Sequence, residues 1–357
     1  MMKRQPAIRR SSSRAAPTAA RRKDLARTQQ NVSPTDHAVR IIHLVCCLAG
    51  SSNLLDDIRD ELRDEGVITA VKKHDTRGLF DWLMLAFSYQ GISDRVATAY
   101  MEHHGRIRWA DVASAVAAGP SCPKLQSYWQ FDSCRYDKGS RTCAEPDHIS
   151  RCPLPKHTLR NGRLNQTAYS LYLFIRDVAD GDLIGWIDGQ LALADEPHDE
   201  NRPARLAAAL IGPLREIYGI SDKVVAMTLS CVLLGAPKRP VWLEAGGAMI
   251  AIDTLVHNFL HRTGVLHRAG ADHSYGAGCY GPGGCAEIIE FAARRFDASA
   301  FNSAFPSVFP RFVQHALWRY CAQLGLGICN GNRIDDRKSC DNTCCQIYSI
   351  CDRISVY

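Results

Sequence analysis

LREIYGISDKVVAMTLSCVLLG, residues 214–235, reads as two helices meeting at a glycine. Apolar residues recur at helical spacing up to Ile217, the pattern stops at Gly219, and a nearly unbroken apolar run fills residues 224–234. Gly219 stands where a tight turn needs a left-handed backbone, a conformation glycine adopts without steric cost. A helix that is apolar all round is a buried one. This second helix is expected to start near Lys223 and to present free N–H groups at its N-terminus, where a phosphate can bind. Alone, such a junction is most often only a junction.

Outward from the hairpin, the chain reads as helical from about residue 36 onward. Leu79, Trp82, Leu83, Leu85 and Ala86 recur at three and four. Ser93 is placed to cap a helix through Tyr100, with Asp94 favourable in its first turn. Further helices are expected over residues 169–178, 206–217, 248–260, 287–296 and 312–324. No alternating strand series is found, so the fold class is all-α. Two stretches break the pattern: residues 119–160, with Pro, Gly and four cysteines, and residues 265–285, which contain HSYGAGCYGPGGC. Both read as ordered loops or insertions.

The length of 357 residues suffices for two packed domains. At 46% hydrophobic and 22% charged residues, disorder over most of the length is excluded. No run of 18 apolar residues exists, so no membrane span is expected. The net charge of +6 is unevenly placed, since residues 1–30 hold nine Lys or Arg and one Asp. Residues 1–35 therefore read as a disordered basic arm, either a solubilising tail or a nonspecific attractor of phosphate. Fifteen cysteines, nine of them after residue 230, are many for an intracellular chain. No apolar stretch follows the N-terminal charge, so the expected compartment is the reducing cytoplasm, where clustered cysteines read as metal ligands.

Downstream of the hairpin lies MIAIDTLVHNFLHRTG, residues 249–264. The pair of segments resembles the helix-hairpin-helix DNA glycosylases of the endonuclease III superfamily, in which a hairpin like LPGVGRKTA precedes a segment like AVDTHIFRVCNRT. On that resemblance Lys223 falls on the family's catalytic lysine and Asp253 on its catalytic aspartate. The Lys-Val-Val ending is closer to the oxoguanine glycosylase branch. LFDWLMLAFSYQGISDRVATAY, residues 79–100, is similar to the family's early helix pair, and Gln90 falls on the glutamine inserted into the duplex. Gly219 and Ser221 fall on the DNA-contacting glycines of the hairpin. The chain departs from the pattern in having Ser221 as the second of these, and in the insertion PKRPVWLEAGG, residues 237–247.

The resemblance implies an all-helical, two-lobed enzyme that removes a damaged or modified base. Residues 77–249 would form a helical barrel ending in the hairpin, and residues 36–76 with 250–357 a second lobe. A base inside a duplex is unreachable, so the nucleotide must be extruded into a pocket, with Gln90 filling the vacated space. Cleavage of the glycosidic bond builds positive charge on the sugar, which the Asp253 carboxylate stabilises. Lys223, desolvated beside the apolar helix, is the nucleophile of a Schiff-base route to AP-lyase cleavage. Two other readings share the fold: a base-modifying enzyme of the glutamyl/putrescinyl-thymine pyrophosphorylase type, and a non-catalytic DNA-binding module. The expected partner is DNA, with the chain a monomer on the nucleoid.

The C-terminal LGLGICNGNRIDDRKSCDNTCCQIYSICDR, residues 324–353, resembles the [4Fe–4S] loop that closes endonuclease III-type enzymes, whose spacing is C-x6-C-x2-C-x5-C. Here Cys345 and Cys351 keep the five-residue gap, while ten residues separate Cys329 from Cys340. The resemblance implies Cys329, Cys340 and Cys351 as three ligands, with Cys344 or Cys345 as the fourth. Four thiolates also suit zinc, which stays open as the alternative. A second candidate, Cys134, Cys143, His148 and Cys152, has the spacing C-x8-C-x4-H-x3-C and reads either as zinc ligands or as reduced thiols in an insertion. Cys279 and Cys285 flank the other Gly-rich loop with no ligand set assigned to them.

Overall fold

The computed structural model describes residues 33–90, 94–118, 122–131, 134, 136–137, 142–143, 163–331 and 333–357. The basic arm up to residue 32, Ser93, His148 and Cys152 lie outside the described residues.

The described chain is all-α apart from one small hairpin. In order, the helices are α1 Pro34–Ala49, α2 Leu54–Asp64, α3 Val67–Lys72, α4 Thr76–Ser88, α5 Asp94–His104, α6 Trp109–Ala117, α7 Tyr128–Phe131 and α8 Arg163–Asp177. There follow α9 Leu183–Ala194, α10 Arg202–Leu214, α11 Asp222–Gly235, α12 Pro240–Ala248, α13 Thr254–Arg262, α14 Val265–Arg268, α15 Cys285–Ala293 and α16 Pro310–Cys321. Two-residue strands Tyr136–Asp137 and Thr142–Cys143 pair antiparallel within the first insertion.

Helix α11 is the hub. It packs on α2, α4, α10 and α12, and its side chains from Val224 to Leu234 are almost all buried, as an all-round apolar helix requires. A second centre forms where α16 packs on α1, α12, α13 and α15. Chain ends meet there. The buried ring of His37 on α1 lies 3.1 Å from the Thr263 carbonyl, and Ile354 N–H donates to the Arg262 carbonyl at 2.9 Å. Helix α1 begins at Pro34 because Ser33 caps it, its side chain accepting from Asp36 N–H at 3.1 Å. Residues 34 and 35, which composition had placed in the arm, are therefore helical.

One expected helix is in fact two elements. Residues 248–260 do not form a single helix: α12 ends at Ala248, residues 249–253 are not helical, and α13 starts at Thr254. The reason is local. Ile252 N–H donates to the Tyr280 hydroxyl at 2.9 Å instead of to a carbonyl four residues back, and Asp253 caps the new helix through its own side chain.

The inserted PKRPVWLEAGG is helix α12. Pro240 occupies its first turn, where a missing N–H costs nothing. Asp188 on α9 holds it from one end, accepting from Arg239 at 2.6 and 2.7 Å and from Trp242 Nε1 at 2.7 Å. At the other end Ser230 donates to the Gly246 carbonyl at 2.8 Å, and a Cβ on Gly246 would stand 2.9 Å from Leu233 Cβ. The insertion therefore docks tightly on α11 and sets the path from the hairpin to Asp253. No single described helix is long and apolar enough to cross a membrane.

Candidate functional site

The hairpin turn is built as its glycine requires. Gly219 has φ +78°, in the left-handed region, while Ser221 has φ −91° and ψ 153°, an extended backbone open to any residue. Serine at the second position therefore introduces no backbone strain. The Ser221 side chain makes no capping bond to α11, and the N–H groups of Asp222 and Lys223 have no acceptor among the described residues. These two donors stand at the positive end of a 14-residue helix, the arrangement that holds an anion.

Gln90 reaches this turn from the end of α4. Its Nε2 donates to the Gly219 carbonyl at 3.2 Å, and its Oε1 accepts from Ser221 N–H at 3.2 Å. The amide is thus anchored to the hairpin, where the resemblance implied a free wedge; entry into a duplex requires breaking both bonds. Gln90→Ala removes both hydrogen bonds, each worth about 0.5–1.5 kcal/mol net. We expect a stability loss of about 1–2 kcal/mol in urea titrations and weaker duplex binding; unchanged stability would show that the turn holds without the amide.

Lys223, half-buried, is the second residue of α11 and forms no ion pair among the described residues. Its neighbour Asp222 faces Arg215 at 3.4 Å. Asp253, also half-buried, caps α13 by accepting from Val256 N–H at 2.9 Å through Oδ1, and Oδ2 has no donor among the described residues. Cap and charge bearer are compatible roles, because one oxygen serves each. Tyr280 lies between these segments' cleft and the Ile252 backbone. Its hydroxyl takes the Ile252 N–H, and its ring borders the same open cleft as Asp222, Met249 and Ile250, a cleft of about 290 Å³. Burial pushes the Tyr280 phenol up, with Asp222 among the charges that add to it. Tyr275 is raised likewise, by burial first and then by the nearby Asp253 carboxylate.

The C-terminal loop brings four of the five candidate thiols together. Burial first, and then the nearness of Cys329, Cys345 and Cys340, push the Cys351 thiol up to about 12. Cys345 lies 3.1 Å from the Tyr320 hydroxyl and is raised by burial, with Cys329 and Cys340 adding to the effect. Cys344 is exposed. Of the two adjacent cysteines, Cys345 is the one near Cys329, Cys340 and Cys351. Cys329 is lowered to about 7 by its contact with the Cys321 thiol and, against burial, by the Arg262 guanidinium. Arg262 is 1% exposed, donates to Cys329 Sγ at 3.4 Å and pairs with Asp336, yet its Nε has no partner. A buried cation that touches Cys329 and lies near Cys340 fits a thiolate there, since buried charges need compensation. Cys345→Ser is expected to lose the bound metal, while Cys344→Ser keeps it; the reverse pattern in metal analysis would reassign the ligand.

Of the second candidate set, only the Cys134 side chain is described, accepting from Gln166 Nε2 at 3.6 Å; the side chain of Cys143 lies, with His148 and Cys152, outside the described residues. Sequence reasoning missed another set. Cys279 and Cys285 are not left without partners: they converge with His257 and His273, and these four could hold a metal ion. The density of glycine in residues 276–284 was the available signal, because a loop wrapped closely around a centre needs it. No protein-family model, no curated protein and no solved structure matches this chain.

Proposed function

We propose that the protein is a DNA glycosylase that removes a damaged or modified base and cleaves the resulting abasic site through Lys223. One observation carries the reading most: a Gly219 hairpin with free helix N–H groups leads into Lys223, and Asp222 beside it borders the same cleft as Tyr280, whose hydroxyl holds the backbone just before Asp253. The hairpin donors would take a backbone phosphate, which fixes the register of the duplex without reading sequence. The extruded nucleotide would then enter beside Asp253 and Lys223.

As the glycosidic bond breaks, the free oxygen of Asp253 stabilises the positive sugar, and the base departs with the bonding electron pair, taking up the proton that the Lys223 amine sheds as it attacks. The Lys223 amine attacks the sugar carbon, ring opening gives the Schiff base, and loss of a proton from the neighbouring carbon expels the 3′ phosphate. Cys329, Cys340, Cys345 and Cys351 would hold a [4Fe–4S] cluster. Such a cluster supplies a compact anionic crosslink for the C-terminal loop. Arg262 would offset its charge, and through Ile354 the same loop is hydrogen-bonded to the end of α13, the helix that Asp253 caps.

Competition binding tests this directly. A duplex carrying a stable abasic-site analogue should outcompete the same undamaged duplex by at least about tenfold, roughly the 1.4 kcal/mol saved when no base need be unstacked. Equal affinity for the two would remove nucleotide extrusion from the account.

A further inference from the structure

The loop after α14 folds around a centre that neither the hairpin chemistry nor the C-terminal thiols use. His257 lies on α13, one turn after the Asp253 cap. Cys279 lies in the 3₁₀ turn Ala277–Tyr280, Cys285 opens α15, and His273 comes from the connecting loop. Three of the four are buried, and the donor atoms all lie within 4.8 Å of one another. His257 Nδ1 is 3.5 Å from Cys279 Sγ and 3.5 Å from Cys285 Sγ, and His273 Nε2 is 3.4 Å from Cys285 Sγ.

These separations have a simple meaning. Tetrahedral zinc with its usual bond lengths to sulfur and nitrogen sets N and S about 3.6 Å apart. Hydrogen-bonded thiol–imidazole pairs alone explain two partners at such a distance, but not four donors closing on one point. The imidazole of His273 is also oriented for it. Its Nδ1 donates to the Ala271 carbonyl at 2.7 Å, which leaves Nε2 as the bare nitrogen on the cysteine side. The backbone is shaped to match: a Cβ on Gly284 would stand 2.3 Å from the Gly278 carbonyl oxygen, and Gly276 and Gly283 have φ +139° and +71°.

We infer that His257, His273, Cys279 and Cys285 bind one zinc ion in a closed four-ligand site. With all four positions filled by protein, the ion is structural and has no place for water or substrate. It joins α13 to the loop that carries Tyr275 and Tyr280. Those two hydroxyls meet the backbone of Ile252, at 3.5 Å on its carbonyl and 2.9 Å from its N–H. The ion thereby fixes the approach to Asp253. Its assignment rests on the donor geometry alone and holds whatever reaction Asp253 serves.

Metal analysis of the full chain, purified without metal affinity resin, provides the test. Wild type should hold zinc, and His273→Ala and Cys279→Ser should each lose one zinc per chain while keeping iron and helical circular dichroism. His273 is half-buried in a loop, so its substitution tests the site even if Cys279→Ser fails to fold. Cobalt added to zinc-stripped wild type should give the visible bands of a tetrahedral sulfur–nitrogen site, and His273→Ala should not. Zinc absent from the wild type with no cobalt bands, or zinc content unchanged in both variants, would overturn the assignment.

Discussion

Asp253→Asn is expected to lower base release by on the order of 10²- to 10³-fold, the loss typical of removing one preorganised group that stabilises transition-state charge. The structure makes this substitution clean. Asp253 caps α13 through Oδ1, and asparagine caps a helix about as well as aspartate. Fold and duplex affinity should therefore persist while the negative charge is lost. Asp253→Ala confounds the two roles, since losing the cap alone costs about 1 kcal/mol. Single-turnover release with saturating enzyme, beside a duplex-binding curve, separates them. Undiminished release by the asparagine variant would leave Asp253 a helix cap only.

The second large effect concerns Lys223. Borohydride added during turnover should trap the wild-type protein covalently on the sugar, by reduction of the Schiff base, and Lys223→Gln should give no trapped species and no strand cleavage. The side chain is half-buried, pairs with no carboxylate among the described residues, and follows a turn whose geometry Gln90 enforces. Glutamine is one atom shorter, uncharged and a good helix former, so α11 should persist. If base release continues in wild type without any trapping, the enzyme is monofunctional, with water activated at Asp253.

Much of this architecture was legible because its causes are local. Gly219 announces the hairpin because the turn there has φ +78°, and the apolar run after it announces a buried helix. The start of α13 was hidden because Met249, Ile250, Ala251 and Ile252 continue the apolar run, whereas helix bonding stops through a hydroxyl 28 residues away on Tyr280. Gln90 was legible as a residue near the hairpin, but its bonds to Gly219 and Ser221 span about 130 residues of chain and leave no trace in local pattern. Spacing alone could not separate adjacent Cys344 and Cys345; in the fold Cys344 is exposed while Cys345 lies against Tyr320. The ligand set of the Gly-rich loop was the least visible, because His257 stands on a helix whose apolar period already explains it.

Incubation of wild-type protein with a panel of duplexes, each carrying one damaged or modified base, with free base and intact strand both followed by mass spectrometry, tests the central claim most directly. The expected result is free base released from at least one duplex by wild type, and released on the order of 10²- to 10³-fold more slowly by Asp253→Asn. A strand whose base gains mass while staying attached, or a protein that binds these duplexes and releases no base from any of them, would contradict a glycosylase.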